Sequence, residues 1–483
     1  MKGAFRSLGI YNYRVWAAGA LVSNVGTWMQ RTAQDWLVLA ELTHKSATAL
    51  GIVMALQFGP HALMLPLSGF AADTLDRRKL LIATQAAMGV LALGLGLLTL
   101  SGFVRLWHVY LFAFLLGCVS AFDSAARQTF VAELVGEEDL SNAVALNSTS
   151  FNAARMIGPA LAGVLIAAVG TGWVFLINSL SFVAVLGSLY FLRVDELQRM
   201  AKAGRGRGGL IEGFRYVWRR PDIKAILVML FLIGTFGINF PIFISTMSVG
   251  VFHAGASQFG LLTSMMAIGS VAGALLSARR EKPGMKVIAA AAGIFGLGFC
   301  IAAAMPSYGL FGGALVIIGL SAQTFTTTAN STIQLSTDPD MRGRVIALFL
   351  AIAVGATPIG APFVGWVADR FGPRWALGVG AASGFGALLV ALRYFAQRRR
   401  SAAAVRDPLA LGVVSPFDAG RRVVKQVGAD AEPLHQPLLE GGMTLERAVR
   451  EDVPDVEVGA PQCPADQDGA VAVERIPLRA HQR

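Results

Sequence analysis

The sequence predicts an all-α membrane protein: twelve transmembrane helices in two six-helix bundles, followed by a disordered cytoplasmic tail. Three observations carry this prediction. The 483-residue chain is 54% hydrophobic and only 15% charged, against about 25% charged in soluble domains, and its mean hydropathy is +0.58. Twelve apolar runs are long enough to cross a bilayer, which takes about 20 residues each. The basic residues between those runs collect in alternate loops, as the positive-inside rule requires.

The first run, 14–41, follows the basic MKGAFRSLGIYNYR. It is too long for a signal peptide and lacks a small-residue cleavage pattern, so it reads as a retained span. The others are 47–72, 79–101, 106–128, 142–169, 173–193, 223–250, 257–278, 286–304, 308–330, 343–368 and 374–395. With the N-terminus inside, cytoplasmic segments up to residue 400 hold 26 Lys and Arg, and external loops hold Lys45, Arg105, Arg370 and Arg374. That asymmetry predicts an even number of spans with both termini cytoplasmic. Between the sixth and seventh spans lies RVDELQRMAKAGRGRGGLIEGFRYVWRRPDIK, in which IEGFRYVWRR has the composition of an amphipathic helix on the inner leaflet. The chain therefore divides into residues 1–193, a linker 194–222, residues 223–395 and a tail 396–483. From 401 onward 13 acidic residues face 9 basic ones, with no long periodic stretch, a composition expected to stay disordered.

The two halves repeat. GPALAGVLIAAVGTGW (158–173) aligns with GAPFVGWVADRFGPRW (360–375), so that Gly158, Gly163, Gly170 and Trp173 meet Gly360, Gly365, Gly372 and Trp375, each 202 residues later. Both halves enter the membrane in the same orientation, which makes the repeat parallel. Some secondary transporters are built this way, with a site near midplane between the halves.

The net charge of +11 is a topological signal here and gives no reason to expect nucleic acid. No GxxxxGK[ST] sequence is present, and GRGRGG (204–209) follows no strand and is not closed by Lys-Ser or Lys-Thr. The six histidines and three cysteines show no metal-ligand spacing. No cofactor, metal or enzymatic activity is expected.

The charged residues inside the spans matter most, because an unpaired charge in lipid costs several kcal/mol. Asn24, Trp28, Arg31 and Asp35 are spaced by 4, 3 and 4 residues, which forms one helical stripe that must face protein or water. Arg31 and Asp35 are positioned to pair along the helix. Arg155 lies near mid-depth of the fifth span, with Asn152 on its face and Asn147 less well aligned. The functional reading makes Asp35 a proton-titrating carboxylate flanked by Arg31 and Arg155; the structural alternative is a static ion pair that fixes helix packing. Asn239, Gln323 and Asn330 are the second half's expected polar contributions to a cavity, alongside Asn24, Trp28, Asn147 and Asn152. Trp36, Phe240 and Phe325 are candidate apolar lining, with core packing as the alternative. Asp123 and Arg127, one turn apart, read as structural.

GFAADTLDRRK (69–79) resembles the signature loop of the major facilitator superfamily, with Gly69, Asp73, Arg77 and Arg78 at the matching positions and Asp76 where a glycine is usual. RMIGPALAG (155–163) resembles the motif of that superfamily's proton-coupled exporters through Gly158, Pro159 and Gly163. FRSLGIYNYRVW, GTWMQRTAQDWLV, ARQTFVAELV and ALNSTSFNAARMIGPALAG are similar to its transmembrane secretion effector, or enterobactin-exporter-like, branch, over roughly residues 5–395. The resemblance implies a major facilitator fold in a bacterial cytoplasmic membrane, acting as a monomer to export a small amphipathic molecule against protons by alternating access. The 69–79 loop would latch the two halves. The mid-membrane arginine many members carry in the fourth span is absent, which shifts proton coupling onto the first. Uptake by symport is the alternative within transport, and a sensor or scaffold acting through the tail is the alternative outside it.

Overall fold

The computed structural model describes residues 5–198, 210–280 and 283–406, with helices and no strand among them. The 401–483 segment beyond Arg406 and the GRGRGG stretch lie outside the described residues. Among the described residues each half consists of six helical columns, one of them broken into two helices. In the first, α1 spans Tyr11–Trp36, α2 Ala47–Leu63, α3 Leu65–Thr74, α4 Arg77–Leu100, α5 Leu106–Leu134, α6 Glu137–Val169 and α7 Thr171–Tyr190. A short α8, Leu210–Arg219, leads to the second half: α9 Pro221–Leu232, α10 Phe240–Ser245, α11 Ala256–Ala278, α12 Met285–Ala304, α13 Tyr308–Ser336, α14 Pro339–Phe371 and α15 Pro373–Arg406. Among the described residues ten helical segments, α9 and α10 counting as one, are long and apolar enough to cross a membrane, or eleven with the bent pair α2–α3. The remaining one, α1, is more polar, but its Asn24, Gln30, Thr32 and Gln34 are buried against the rest of its bundle. One loop end of the molecule is rich in Lys and Arg and the other poor; they are called the basic and charge-poor ends below.

Two expected spans are broken. The α2–α3 column bends by 55°, because Pro66 has no N–H to return to the preceding turn. The seventh span widens into a π turn at Ile233–Gly237, stops at Ile238–Asn239 and restarts at α10, where Pro241 again removes a donor. The Asn239 side chain caps the break by donating to the Thr235 carbonyl at 2.7 Å.

The repeat is visible in the helices themselves. α5 and α13 are each 29 residues and α6 and α14 each 33, with bounds displaced by 202. Gly170 and Gly372 end α6 and α14 at φ +89° and +101°, a region that side chains rarely adopt.

The halves meet along two matching seams at the charge-poor end. In one, α6 packs on α11: a Cβ on Gly163 would sit 2.6 Å from the Ala256 carbonyl oxygen, and one on Gly260 would sit 2.2 Å from that of Pro159. In the other, α14 packs on α2: Gly365 meets Ala47 at 2.4 Å and Gly51 meets Ala361 at 2.4 Å in the same sense. Only glycine admits this backbone approach. Ser257 and Ser264 donate to the Gly163 and Met156 carbonyls at 3.2 and 2.8 Å. The second seam carries a charge as well. Asp369 accepts hydrogen bonds from the Ala47 and Thr48 amides at 2.7 and 2.9 Å and from the Thr48 and Ser46 hydroxyls at 2.6 and 3.1 Å.

Candidate functional site

Below the seams lies a cavity of about 310 Å³ lined from both halves. α1 contributes Trp28, Arg31, Thr32 and Asp35; α2 contributes Met54, Gln57 and Phe58; α6 contributes Arg155. The broken seventh span supplies Ile238, Phe240, Pro241 and Ile244, and α11 and α14 supply Phe259, Thr263, Met266 and Thr357 among others. Arg31, Asp35 and Arg155, named from sequence, therefore share one chamber. Phe151 packs edge-on against Trp28, on the chamber wall, at 5.7 Å.

The expected ion pairing is not formed. Among the described residues no ion pair joins Asp35 to Arg31 or Arg155. Instead the Arg31 guanidinium stands over the rings of Trp28 and Phe58, at 5.0 and 5.5 Å from their centroids. Its Nε is buried without a hydrogen-bond partner, as is Nε2 of Gln57. A cation over two aromatic faces gains quadrupole attraction without giving up its reach into the chamber. Asp35 is left facing the cavity.

Of the polar residues expected to line the cavity, Trp28 does so and the asparagines lie elsewhere. Asn24 shares the Arg31–Asp35 face, but it stands about 16 Å from Asp35 along the helix. There it accepts from Arg127 at 3.4 Å, within a buried network in which Asp123 pairs with Arg127 at 3.1 Å and accepts from Thr84 and Gln85. This network ties α5 to α4 and α1; it does not involve the 69–79 loop. Asn147 lines a lateral groove with Tyr13 and Arg14. Asn152 donates to the Ser148 carbonyl, Gln323 to Thr327, and Asn330 accepts from Gln334. Asn239 is fully buried. Trp36 packs on Phe259 at 5.9 Å, and Phe325 is core.

In the signature loop, Arg77 pairs with Glu133 and Arg78 donates to the Leu189 carbonyl. Asp76, the departure from the usual glycine, caps α4 by accepting from the Lys79 amide at 2.9 Å. Asp73 is exposed and has no hydrogen bond or ion pair among the described residues. A Cβ built on Gly69 would meet nothing within 4 Å. The exporter-like motif does pack closely. Gly158 lets α6 approach Trp28 on α1, where a Cβ would sit 2.6 Å from that of the tryptophan, and Gly163 serves the seam to α11.

Two six-helix bundles related by a parallel repeat, enclosing a chamber sealed at one end, define a secondary transporter of the major facilitator class. Solved structures agree on the fold. A point mutant of the nucleoside transporter NupG aligns at TM-score 0.64 with 12% identity, covering 80% of this chain and 99% of that one. A bacterial homologue of the iron transporter ferroportin in an inward-facing state aligns at 0.60 with 16% identity, covering 79% and 98%. The sequence profile of the transmembrane secretion effector family matches residues 3–411, and the chain belongs to that family. Its relatives include the staphyloferrin A transporter of Staphylococcus aureus, 26% identical over 72% of this chain and 87% of that protein. The enterobactin exporter EntS of Shigella flexneri is 25% identical over 72% and 82%. The chain is thus a multi-pass membrane protein that exports a small molecule.

Proposed function

We propose that this protein exports an amphipathic molecule, of the siderophore, drug or metabolite kind, in exchange for protons. The observation that carries the reading is Asp35: a carboxylate without an ion-pair partner among the described residues, in a chamber shared by both halves. A proton and a hydrogen-bond donor on the substrate compete for the same oxygens, so loading one displaces the other, which is what antiport requires. Arg31 and Arg155 offset the carboxylate's charge while it is deprotonated, and the rings of Trp28, Phe58 and Phe240 receive the substrate's apolar body.

The basic end is assigned to the cytoplasm, with both termini on that side, which makes the described conformation inward-open. Residues 1–193 and 223–395 rock as two bodies about the chamber, joined by the 194–222 linker, with 396–483 as a cytoplasmic tail. The exposed Asp73 and the open site around Gly69 fit a latch that engages only in the opposite state. A monomer contains the whole pathway. The family and its structural neighbours are transporters, in keeping with a protein that does no covalent chemistry.

The test is proton flux in liposomes, screening siderophores and lipophilic drugs against wild type and Asp35→Asn. Substrate-triggered proton movement that vanishes in Asp35→Asn is expected. Proton coupling that survives in the variant would reduce Asp35 to a packing role.

A further inference from the structure

α8 presents a face that the transport pathway does not use. Its inner side is clamped to the second half. Gly213 and Val217 are buried, and Glu212 pairs with Arg344 at 3.2 Å. The Tyr216 hydroxyl donates to Asp338 at 3.0 Å and accepts from Arg220, also at 3.0 Å. Arg220 reaches on to the Ser336 carbonyl at 2.9 Å and pairs with Asp222 at 2.9 Å; the Asp222 bond holds its guanidinium above the usual arginine range. α8 is therefore fastened to the turn between α13 and α14.

The outer side is built from two i,i+4 pairs. Phe214 and Trp218 are 56% and 62% exposed, with ring centroids 5.6 Å apart. Arg215 and Arg219, also exposed, line a shallow surface groove with them and have no acidic partner among the described residues. Lys224, on the first turn of α9, lies 4.1 Å over the Trp218 ring. That contact sets the outer face of α8 level with the point where the seventh span enters the membrane. Aromatic rings with a polar edge favour the headgroup layer, and adjacent guanidinium groups match phosphate geometry.

We infer that the Phe214–Arg215–Trp218–Arg219 face of α8 docks on anionic phospholipid headgroups, with Lys224 beside them. The occupant is the membrane surface, because the rings need an apolar layer and the cations an anionic one, and only a charged leaflet offers both along a helix that adjoins a span. Through the Tyr216–Asp338–Arg220 clamp, the lipid then steadies the basic end of the second half. This inference does not depend on the substrate or on proton coupling.

The experiment is native mass spectrometry of the purified full chain with phosphatidylglycerol and phosphatidylcholine, which needs no transport activity. Wild type is expected to retain phosphatidylglycerol preferentially. R215Q/R219Q should lower its retention constant about thirtyfold, from the attraction typical of two basic residues at an anionic surface. R215K/R219K should keep most of it, and K45Q/R370Q, with the same change of net charge at the other end, should keep all of it. Unchanged retention in R215Q/R219Q, an equal fall in K45Q/R370Q, or displacement of the lipid by millimolar inorganic phosphate would overturn the proposal. If R215Q/R219Q does not fold, the salt dependence of wild-type retention decides, since retention that is flat between low and high salt excludes an electrostatic dock.

Discussion

Asp369 offers the sharpest test of how the charge-poor end stays closed. Its carboxylate reaches from α14 to the first turn of α2, where the Ala47 and Thr48 amides have no partner inside their own helix. It is thus a helix cap supplied by the other half, and to open that end the molecule must break it. Losing an N-cap costs about 0.5–2 kcal/mol, and charge-assisted bonds lie at the upper end of such values. Asp369 is exposed, so water recovers part of the loss, and about 1–2 kcal/mol is the working figure for Asp369→Ala. That shifts the closed-to-open ratio roughly 5- to 30-fold toward opening. The assay is a pulsed electron spin resonance distance distribution between labels at Lys45 and His253, in a background without Cys118, Cys300 and Cys463. Asp369→Ala should populate a longer distance, and Asp369→Asn should do so less. The repeat supplies a reciprocal arm. Ala167 stands 202 residues before Asp369, four residues after the seam glycine Gly163, so Ala167→Asp should cap α11 in the same way and favour closure. An unchanged distribution in Asp369→Ala would refute the reasoning.

Gly365→Val places branched carbons where even a Cβ lies 2.4 Å from the Ala47 carbonyl oxygen. It should reduce transport more than tenfold while the purified protein stays monodisperse by size exclusion, because a clash of about 1–3 kcal/mol falls on the seam. Asp123→Ala strands Arg127 in the buried network of the first half and should cost about 3–5 kcal/mol, read as lost folded yield. Asp123→Leu with Arg127→Met should recover much of that yield. Tyr216→Phe removes one hydroxyl shared by Asp338 and Arg220 and should lower stability by about 1 kcal/mol, visible as a small drop in Tm with transport retained.

The twelve-helix architecture was legible because each bilayer crossing demands an apolar run and each loop records its side in Lys and Arg. The seams were half legible. Gly163 and Gly365 stood out in the repeat, but that they approach α11 and α2 of the opposite half, where Gly260 and Gly51 answer them, is a long-range fact that spacing cannot contain. The chamber was legible where charge pointed to it, at Arg31, Asp35 and Arg155. It was missed where ordinary residues build it, at Gln57, Phe58 and Thr357. Gln57 had a signal, being the amide in the apolar run LGIVMALQFGP. The break in the seventh span had one too, in the glycines and proline of GTFGINFPIF, since interrupted spans mark transport sites. The asparagines failed as indicators because a polar side chain in a membrane helix can donate as readily to a carbonyl four residues back, as Asn152 and Asn239 do, as to a cavity.

The two seams share a glycine geometry but not a fastening. α2 is held to α14 by a carboxylate, whereas α11 lies against α6 with two serine hydroxyls and no charge. The less firmly fastened seam yields first. When the charge-poor end parts, the α6–α11 contacts should give before the α2–α14 contacts, whose Asp369 bonds break last. The first gap at that end should therefore lie along one flank of the protein, beside α6 and α11, and the order of parting is set by one carboxylate that only one copy of the repeat carries.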